Sequence, residues 1–107
     1  MTELSEPTGE GSGRIEIRDN PERSRYEAHL GAAVAGFSAY RMRGNPADIV
    51  VFTHTEVDPA YEGEGVGSAL AKAALDDVRR RGLGLVAMCP FISAYIRRHP
   101  EYADLAR

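Results

Sequence analysis

Hydrophobic positions alternate with polar ones in the first half of the chain and follow a helical period in the second half. Between residues 14 and 43, three alternating runs are separated by the turns DNPE and GA, and the turn GNPAD follows the third. Alternation places every second side chain on one face of a strand, so these runs predict three antiparallel strands. A fourth run, DIVVFTHTEV, begins with apolar residues on both faces, which favours a central strand covered on both sides.

The second half of the chain predicts two helices and one strand. Apolar side chains recur at every fourth position over about residues 65–81, which is typical of one helix face: Val66, Leu70, Ala74 and Val78. The short apolar run LGLVAMCP predicts a fifth, buried strand, and PFISAYIRR predicts a second helix that starts at Pro90 and ends by Pro100. The sequence therefore predicts an α/β domain in which an antiparallel meander of four strands continues into one parallel, right-handed β-α-β crossover.

Composition narrows the domain organisation and the class of protein. The 107 residues suffice for one domain, which we place at residues 14–107, after a flexible acidic tail at residues 1–13. Without the tail the formal charge is balanced, which disfavours nucleic-acid binding. No apolar run has membrane-spanning length, and the single cysteine is typical of a reducing cytoplasm. We expect a cytoplasmic monomer or weak dimer.

The glycine-rich turn YEGEGVG joins the fourth strand to the first helix. A helix N-terminus presents backbone amides that have no partner in the helix, and glycines let a loop curl so that more amides converge. The turn is therefore either a phosphate cradle or a connector that permits tight packing. Its G-x-G-x-G spacing differs from the G-x-G-x-x-G of dinucleotide-binding folds, and it lacks the Gly-Lys-Ser/Thr of a P-loop.

The same turn resembles motif A of the GNAT superfamily of N-acetyltransferases, Q/R-x-x-G-x-G/A, with Glu62, Gly65 and Gly67 at the motif positions. Residues 15–102 are similar to the minimal GNAT-like subfamily of small acetyltransferases through HTEV…P, GEGVGSALAKAALD and CPF…Y…HPEY. One departure is Glu62, an acid where the family has Gln or Arg.

The resemblance implies a sheet that opens between the fourth and fifth strands and binds acetyl-CoA there. The pantetheine arm would contact the backbone near Glu56 and Val57. The pyrophosphate would bind the amides of the glycine turn and the helix start, which are those of Gly63, Glu64, Gly65, Val66, Gly67 and Ser68.

Transfer of acetyl to a primary amine, such as a protein or peptide lysine in an open groove, has two candidate routes. In direct transfer, a carboxylate or a water removes the proton from the ammonium. The resemblance implies Glu56 for this role, because GNAT enzymes often keep the base in this region, and His54 on the same strand face is a second candidate. In double displacement, Cys89 takes the acetyl group first, as proposed for the subfamily, and a helix N-terminus favours the reactive thiolate form of such a cysteine.

Other functions remain open on the sequence. The alternative to an enzyme is a non-catalytic acyl-CoA-binding or interaction module, and nucleotide binding by the glycine turn ranks third. The three histidines show no ligand-pair spacing and no second cysteine joins them, so no metal site is predicted.

Overall fold

The core of the fold is a five-stranded sheet whose strands lie side by side in chain order. The computed structural model describes residues 15–107, so the predicted acidic tail at residues 1–13 lies outside the described residues. Adjacent pairs among the first four strands are antiparallel, and the fifth strand runs parallel to the fourth. This confirms the predicted meander and crossover. The strands are β1 (Glu16–Asn20), β2 (Arg25–Leu30), β3 (Ala33–Gly44), β4 (Ala47–Val57) and β5 (Gly84–Ala87).

Two helices follow β4 and β5, within one or two residues of their predicted bounds. Helix α1 (Val66–Arg80) forms the crossover, and helix α2 (Pro90–Arg98) begins with the predicted proline. The apolar stripe of α1 is buried, because its i, i+4 side chains all point to the sheet. Short 3-10 segments at Pro59–Tyr61 and Pro100–Leu105 complete the chain; the first, between β4 and the glycine turn, is absent from the sequence prediction.

Both helices pack on one face of the sheet. The first turns of the two helices touch each other, and a single cluster of buried side chains joins the helices to the sheet. On this face the cluster includes Tyr26, Tyr40 and Phe52 from three neighbouring strands. In the part of the chain that the structure describes, the opposite face of the sheet carries side chains of the strands and no helix. The expectation of a central strand covered on both sides is confirmed at Val50, Val51 and Phe52, which are all buried, although no helix provides the cover on the face away from α1 and α2 within residues 15–107.

A β-bulge at Thr53 decides which side chains of β4 face the helices. Ala39 pairs with His54, whereas the next residue, Tyr40, pairs with Phe52, so Thr53 is an extra residue in β4. The alternation of side chains therefore shifts at this point. Before the bulge the even-numbered residues of β4 face the helices, and after it the odd-numbered residues do.

Candidate active site

Strands β4 and β5 stop pairing immediately before the bulge at Thr53. Their pairing ends at Phe52 and Ala87, and the amides of Met88 and Cys89 both donate to the Phe52 carbonyl at 3.0 Å. Beyond this point β4 continues to Val57, whereas the chain after β5 turns away into α2. A cleft between the fourth and fifth strands was predicted, and the structure contains it.

Beyond Phe52, every second residue of β4 directs its backbone N–H and C=O groups toward this cleft instead of toward β3. The amide of Asp58 donates to the Ala35 carbonyl at 2.8 Å, so Asp58 faces β3. Backbone groups alternate between the two edges of a strand. It follows that Glu56 faces β3, where it pairs with Phe37, and that Val57 faces the cleft. Of the two residues predicted to hold a pantetheine arm, only Val57 offers its backbone to the cleft.

The glycine turn presents unpartnered amides beside the cleft. Among the described residues, no backbone hydrogen bond involves the N–H groups of Gly63, Gly65, Val66, Gly67 or Ser68. The predicted set also included Glu64, but its amide donates to the Tyr61 carbonyl at 3.3 Å. The first turn of α1 contains no acidic side chain, so the dipole at the helix N-terminus is not offset there.

The three glycines of the turn serve two different purposes. Gly63 and Gly65 have φ of 84° and 81°, and a Cβ atom on either would have no heavy atom within 4 Å. These two glycines permit a left-handed backbone and leave open space next to the amides, as a phosphate site needs. A Cβ on Gly67, by contrast, would lie 2.8 Å from the ring of Phe91 in α2. Gly67 thus allows the two helices to pack closely.

Cys89 lies where β4 and β5 separate, on the face that carries the helices. It follows β5, which ends two residues earlier, and it is the N-cap residue of α2. Its side chain is buried, with 2% exposure, and Sγ donates to Thr55 Oγ1 at 3.3 Å. Thr55 Oγ1 also bonds to the buried Ser38 hydroxyl at 2.8 Å. The predicted fifth strand, LGLVAMCP, included Cys89; the structure places this residue beyond the strand and beside Thr55.

Glu56 and His54 occupy the opposite face of the sheet. Their side chains are 3.4 Å apart, from His54 Nε2 to Glu56 Oε1, and both are 63% exposed. The His54 ring also lies 6.1 Å from that of Phe37. The structure therefore confirms that these two predicted residues share a strand face, but it does not bring them into contact with Cys89.

A cavity of about 410 Å³ adjoins Glu56 on this open face. Asp58 and Pro59 line one part of it, and Arg25 and Phe37 line another. The sequence interpretation did not include Thr55, Arg25 or this cavity. One feature of the sequence could have indicated that Thr55 faces the helices. Val57 is apolar at an odd-numbered position, which indicates that the alternation of β4 shifts before this residue.

The sequence predicted no metal site and no membrane-spanning segment. Within residues 15–107, no group of three or more His, Cys, Asp or Glu side chains is arranged to hold a metal ion. None of the helices in this range has the length and apolar character that crossing a membrane requires.

Comparison with known proteins places these features in a family. The family model described as GCN5-related N-acetyl-transferase matches residues 25–105. Protein NATD1 of Mus musculus is 34% identical over 92 residues, which cover 85% of this chain and 82% of that protein. Protein NATD1 of Homo sapiens is 44% identical over a shorter stretch of 52 residues, which covers 49% of this chain and 46% of that protein.

Solved structures show the same fold. The solution structure of a GCN5-like protein from Staphylococcus aureus superposes with a TM-score of 0.66 at 23% identity and covers 89% of this chain and 90% of its own. A ribosomal-protein-alanine N-acetyltransferase from Brucella melitensis gives a TM-score of 0.54 at 19% identity, with 78% of this chain and 60% of that chain covered. The chain therefore belongs to the GCN5-related N-acetyltransferase family and is an acyltransferase.

Proposed function

We propose that this protein transfers an acetyl group from acetyl-CoA to a primary amine, such as a protein or peptide lysine. The observation that carries the proposal is the row of unpartnered amides at Gly63 and residues 65–68, next to a cleft between parallel strands. Anions bind such a row because the N–H groups and the helix dipole both favour negative charge. The pyrophosphate of coenzyme A supplies that charge.

The residues present fit the pyrophosphate and the pantetheine arm of acetyl-CoA. Gly63 and Gly65 leave space for the pyrophosphate, and Val57 turns backbone groups toward the cleft for the pantetheine amides. The thioester would then lie near Cys89, where the two strands separate. Glu62 is exposed and contributes a like charge near the phosphates, which lowers affinity without closing the cradle.

The acceptor amine approaches, in this proposal, from the open face. The cavity beside Glu56 is lined by two carboxylates, those of Glu56 and Asp58, which favour a cationic ammonium. An amine attacks only as the neutral base, so the ammonium must lose a proton before attack. Glu56, with His54 at 3.4 Å, is the carboxylate available for this step. We therefore favour direct transfer with Glu56 as the general base.

The position of Cys89 supports the double-displacement route as a second candidate. The Cys89 thiolate would attack the acetyl carbonyl and expel the coenzyme A thiolate; the amine would then attack the acetyl-cysteine and restore the thiol. Thr55 Oγ1 accepts a hydrogen bond from Sγ at 3.3 Å but is too weak a base to remove the proton, so the thiol proton would pass to the departing coenzyme A thiolate. Against this route stands the 2% exposure of the cysteine.

Paired variants separate the two routes. Release of coenzyme A thiol is measured with lysine peptides and small primary amines for the unmodified protein, Glu56→Gln and Cys89→Ala. Direct transfer predicts that Glu56→Gln lowers kcat by about 10²-fold or more, while Cys89→Ala retains most activity. Loss of turnover in Cys89→Ala, with an acetyl group on Cys89 of the unmodified protein after incubation with acetyl-CoA alone, would overturn direct transfer.

A third outcome concerns the alternative function. Saturable binding of acetyl-CoA without acetylation of any amine in the panel, or of cell-lysate proteins, would favour the acyl-CoA-binding module over the enzyme. The cytoplasmic location expected from the single cysteine stays a proposal, which fluorescence microscopy of the tagged protein tests.

A further inference from the structure

Arg25 on β2 is held rigidly on the open face of the sheet. Its Nε donates to Glu27 Oε2 at 2.8 Å, and its guanidinium carbon lies 4.6 Å from the centre of the Phe37 ring. The side chain is only 22% exposed. A guanidinium fixed on one side by a carboxylate and stacked on an aromatic ring has lost most of its freedom before any ligand binds.

Glu27 is the residue that fixes Arg25, and it is itself held from three sides. The residue is 6% exposed, and its carboxylate also accepts from Asn20 Nδ2 at 3.1 Å and contacts His29 Nε2 at 3.1 Å. The hydrogen bond from Arg25 lowers the pKa of Glu27, against the burial that alone would raise it. A nearly buried carboxylate is costly unless it is paired, so this network requires a charged Arg25.

The other edge of the guanidinium is available to a ligand. The hydrogen bond to Glu27 uses Nε, and within residues 15–107 the two terminal nitrogens of Arg25 have no protein partner. Arg25 lines the 410 Å³ cavity that Glu56 and Asp58 also line. This cavity therefore has a fixed cationic group at one side and carboxylates at another.

We propose that the acceptor is a primary amine that also carries a carboxylate, and that the terminal nitrogens of Arg25 bind this carboxylate while the ammonium faces Glu56. Arg25 is level with His54, so its backbone is separated from that of Glu56 by two strand spacings of about 4.8 Å each and by two residues of about 3.4 Å each along the strand. An ω-amino acid, or a lysine side chain next to an acidic residue in a peptide, places its two charges far enough apart to meet both groups. The inference rests on the proposed function, because it assumes that the cavity is the acceptor site.

The test compares matched ligands that differ only in the carboxylate. 6-Aminohexanoate and hexylamine are each titrated into isotope-labelled protein, and the affinity is read from the amide signals of Phe37 and Glu56. A second pair, the peptides acetyl-Glu-Lys-amide and acetyl-Gln-Lys-amide, distinguishes a small-molecule acceptor from a peptide one. Both pairs are repeated with Arg25→Gln and with the control Arg41→Gln, which removes a charge on the same face outside the cavity.

We expect the carboxylate-bearing member of at least one pair to bind about tenfold more tightly, the value of one charge-assisted contact. Arg25→Gln should abolish the preference, and Arg41→Gln should retain it. Equal affinity within both pairs, no binding of any probe, or a preference that survives in Arg25→Gln overturns the inference. Titration with acetyl-CoA is scored separately: loss of coenzyme binding with an intact carboxylate preference would contradict the proposed function and leave the Arg25 site standing.

Discussion

The glycine cradle predicts a specific difference between two alanine substitutions. Gly65 and Gly82 stand just before and just after helix α1, with φ of 81° and 69°. A Cβ on either would have no heavy atom within 4 Å, so neither substitution clashes or gains packing. Both force a left-handed backbone on alanine, which costs about 1–2 kcal/mol. Gly65→Ala and Gly82→Ala should therefore lower the unfolding temperature similarly, by roughly 4–8 °C per kcal/mol.

The two variants should differ only when acetyl-CoA is present. At a concentration of 100 times Kd, a ligand stabilises the folded protein by about 2.7 kcal/mol. A methyl group on Gly65 projects into the space proposed for the pyrophosphate; if it weakens binding tenfold, the stabilisation falls to about 1.4 kcal/mol. Gly82→Ala should retain the full value.

Thermal unfolding with and without acetyl-CoA measures both quantities. Equal ligand stabilisation in the two variants would refute the reasoning, because the open space at Gly65 would then have no part in binding. If Gly65→Ala and Gly82→Ala lose unequal stability without ligand, the estimated cost of a left-handed alanine is contradicted, but the proposed role of Gly65 in binding is not.

Three further predictions concern packing and charge. Gly67→Ala forces a Cβ to 2.8 Å from the Phe91 ring, and overpacking of this kind costs about 1–3 kcal/mol, measurable by urea unfolding. Glu27→Ala leaves its polar partners unpaired and should cost about 2 kcal/mol in the same assay. The hydrogen bond from Tyr102 to Asp76 raises the tyrosine pKa to about 12, so the folded state holds this proton more tightly than the unfolded state. That stability is complete below the ordinary tyrosine pKa of about 10 and falls as pH rises from about 10 to 12; Tyr102→Phe should show a smaller alkaline loss of unfolding free energy, and an unchanged profile would contradict the assignment.

Much of the fold follows from patterns that the sequence displays openly. The alternating runs and the glycine and proline turns predict the meander, because strand alternation has a fixed period of two. The apolar stripe from Val66 to Val78 predicts α1 within one residue at each end. Pro90 predicts the start of α2, since proline suits the first helical position.

The site is less predictable, because one extra residue changes which face a side chain occupies. The bulge at Thr53 moves His54 and Glu56 to the face away from the helices and brings Thr55 to Cys89. The apolar Val57 at an odd-numbered position indicates a shift in the alternation of DIVVFTHTEV, but it does not specify at which residue the extra position lies. The sequence also could not predict the contact between Gly67 and Phe91, because this contact depends on how α2 packs against α1.

The cavity on the open face depends on long-range pairing in the same way. Arg25 and Glu56 lie 31 positions apart in the chain and line one cavity. They are brought together because β2 and β4 both pair with β3, and no local sequence pattern specifies the register of that pairing. Glu27 reads in the sequence as one of several solvent-facing charges of an alternating strand. Its near-complete burial becomes evident only once Asn20 and His29 are seen to bind it.

The most direct test of the central claim is titration of acetyl-CoA into isotope-labelled protein, followed through the backbone amide signals. The account predicts saturable shifts concentrated at Val57, Gly63 and residues 65–68, with smaller shifts near Cys89 and none at Gly82. Amides of the glycine turn that stay unchanged at millimolar acetyl-CoA would contradict it. The glycines would then serve only the turn and the packing of α1, and the coenzyme would have to bind elsewhere on the domain.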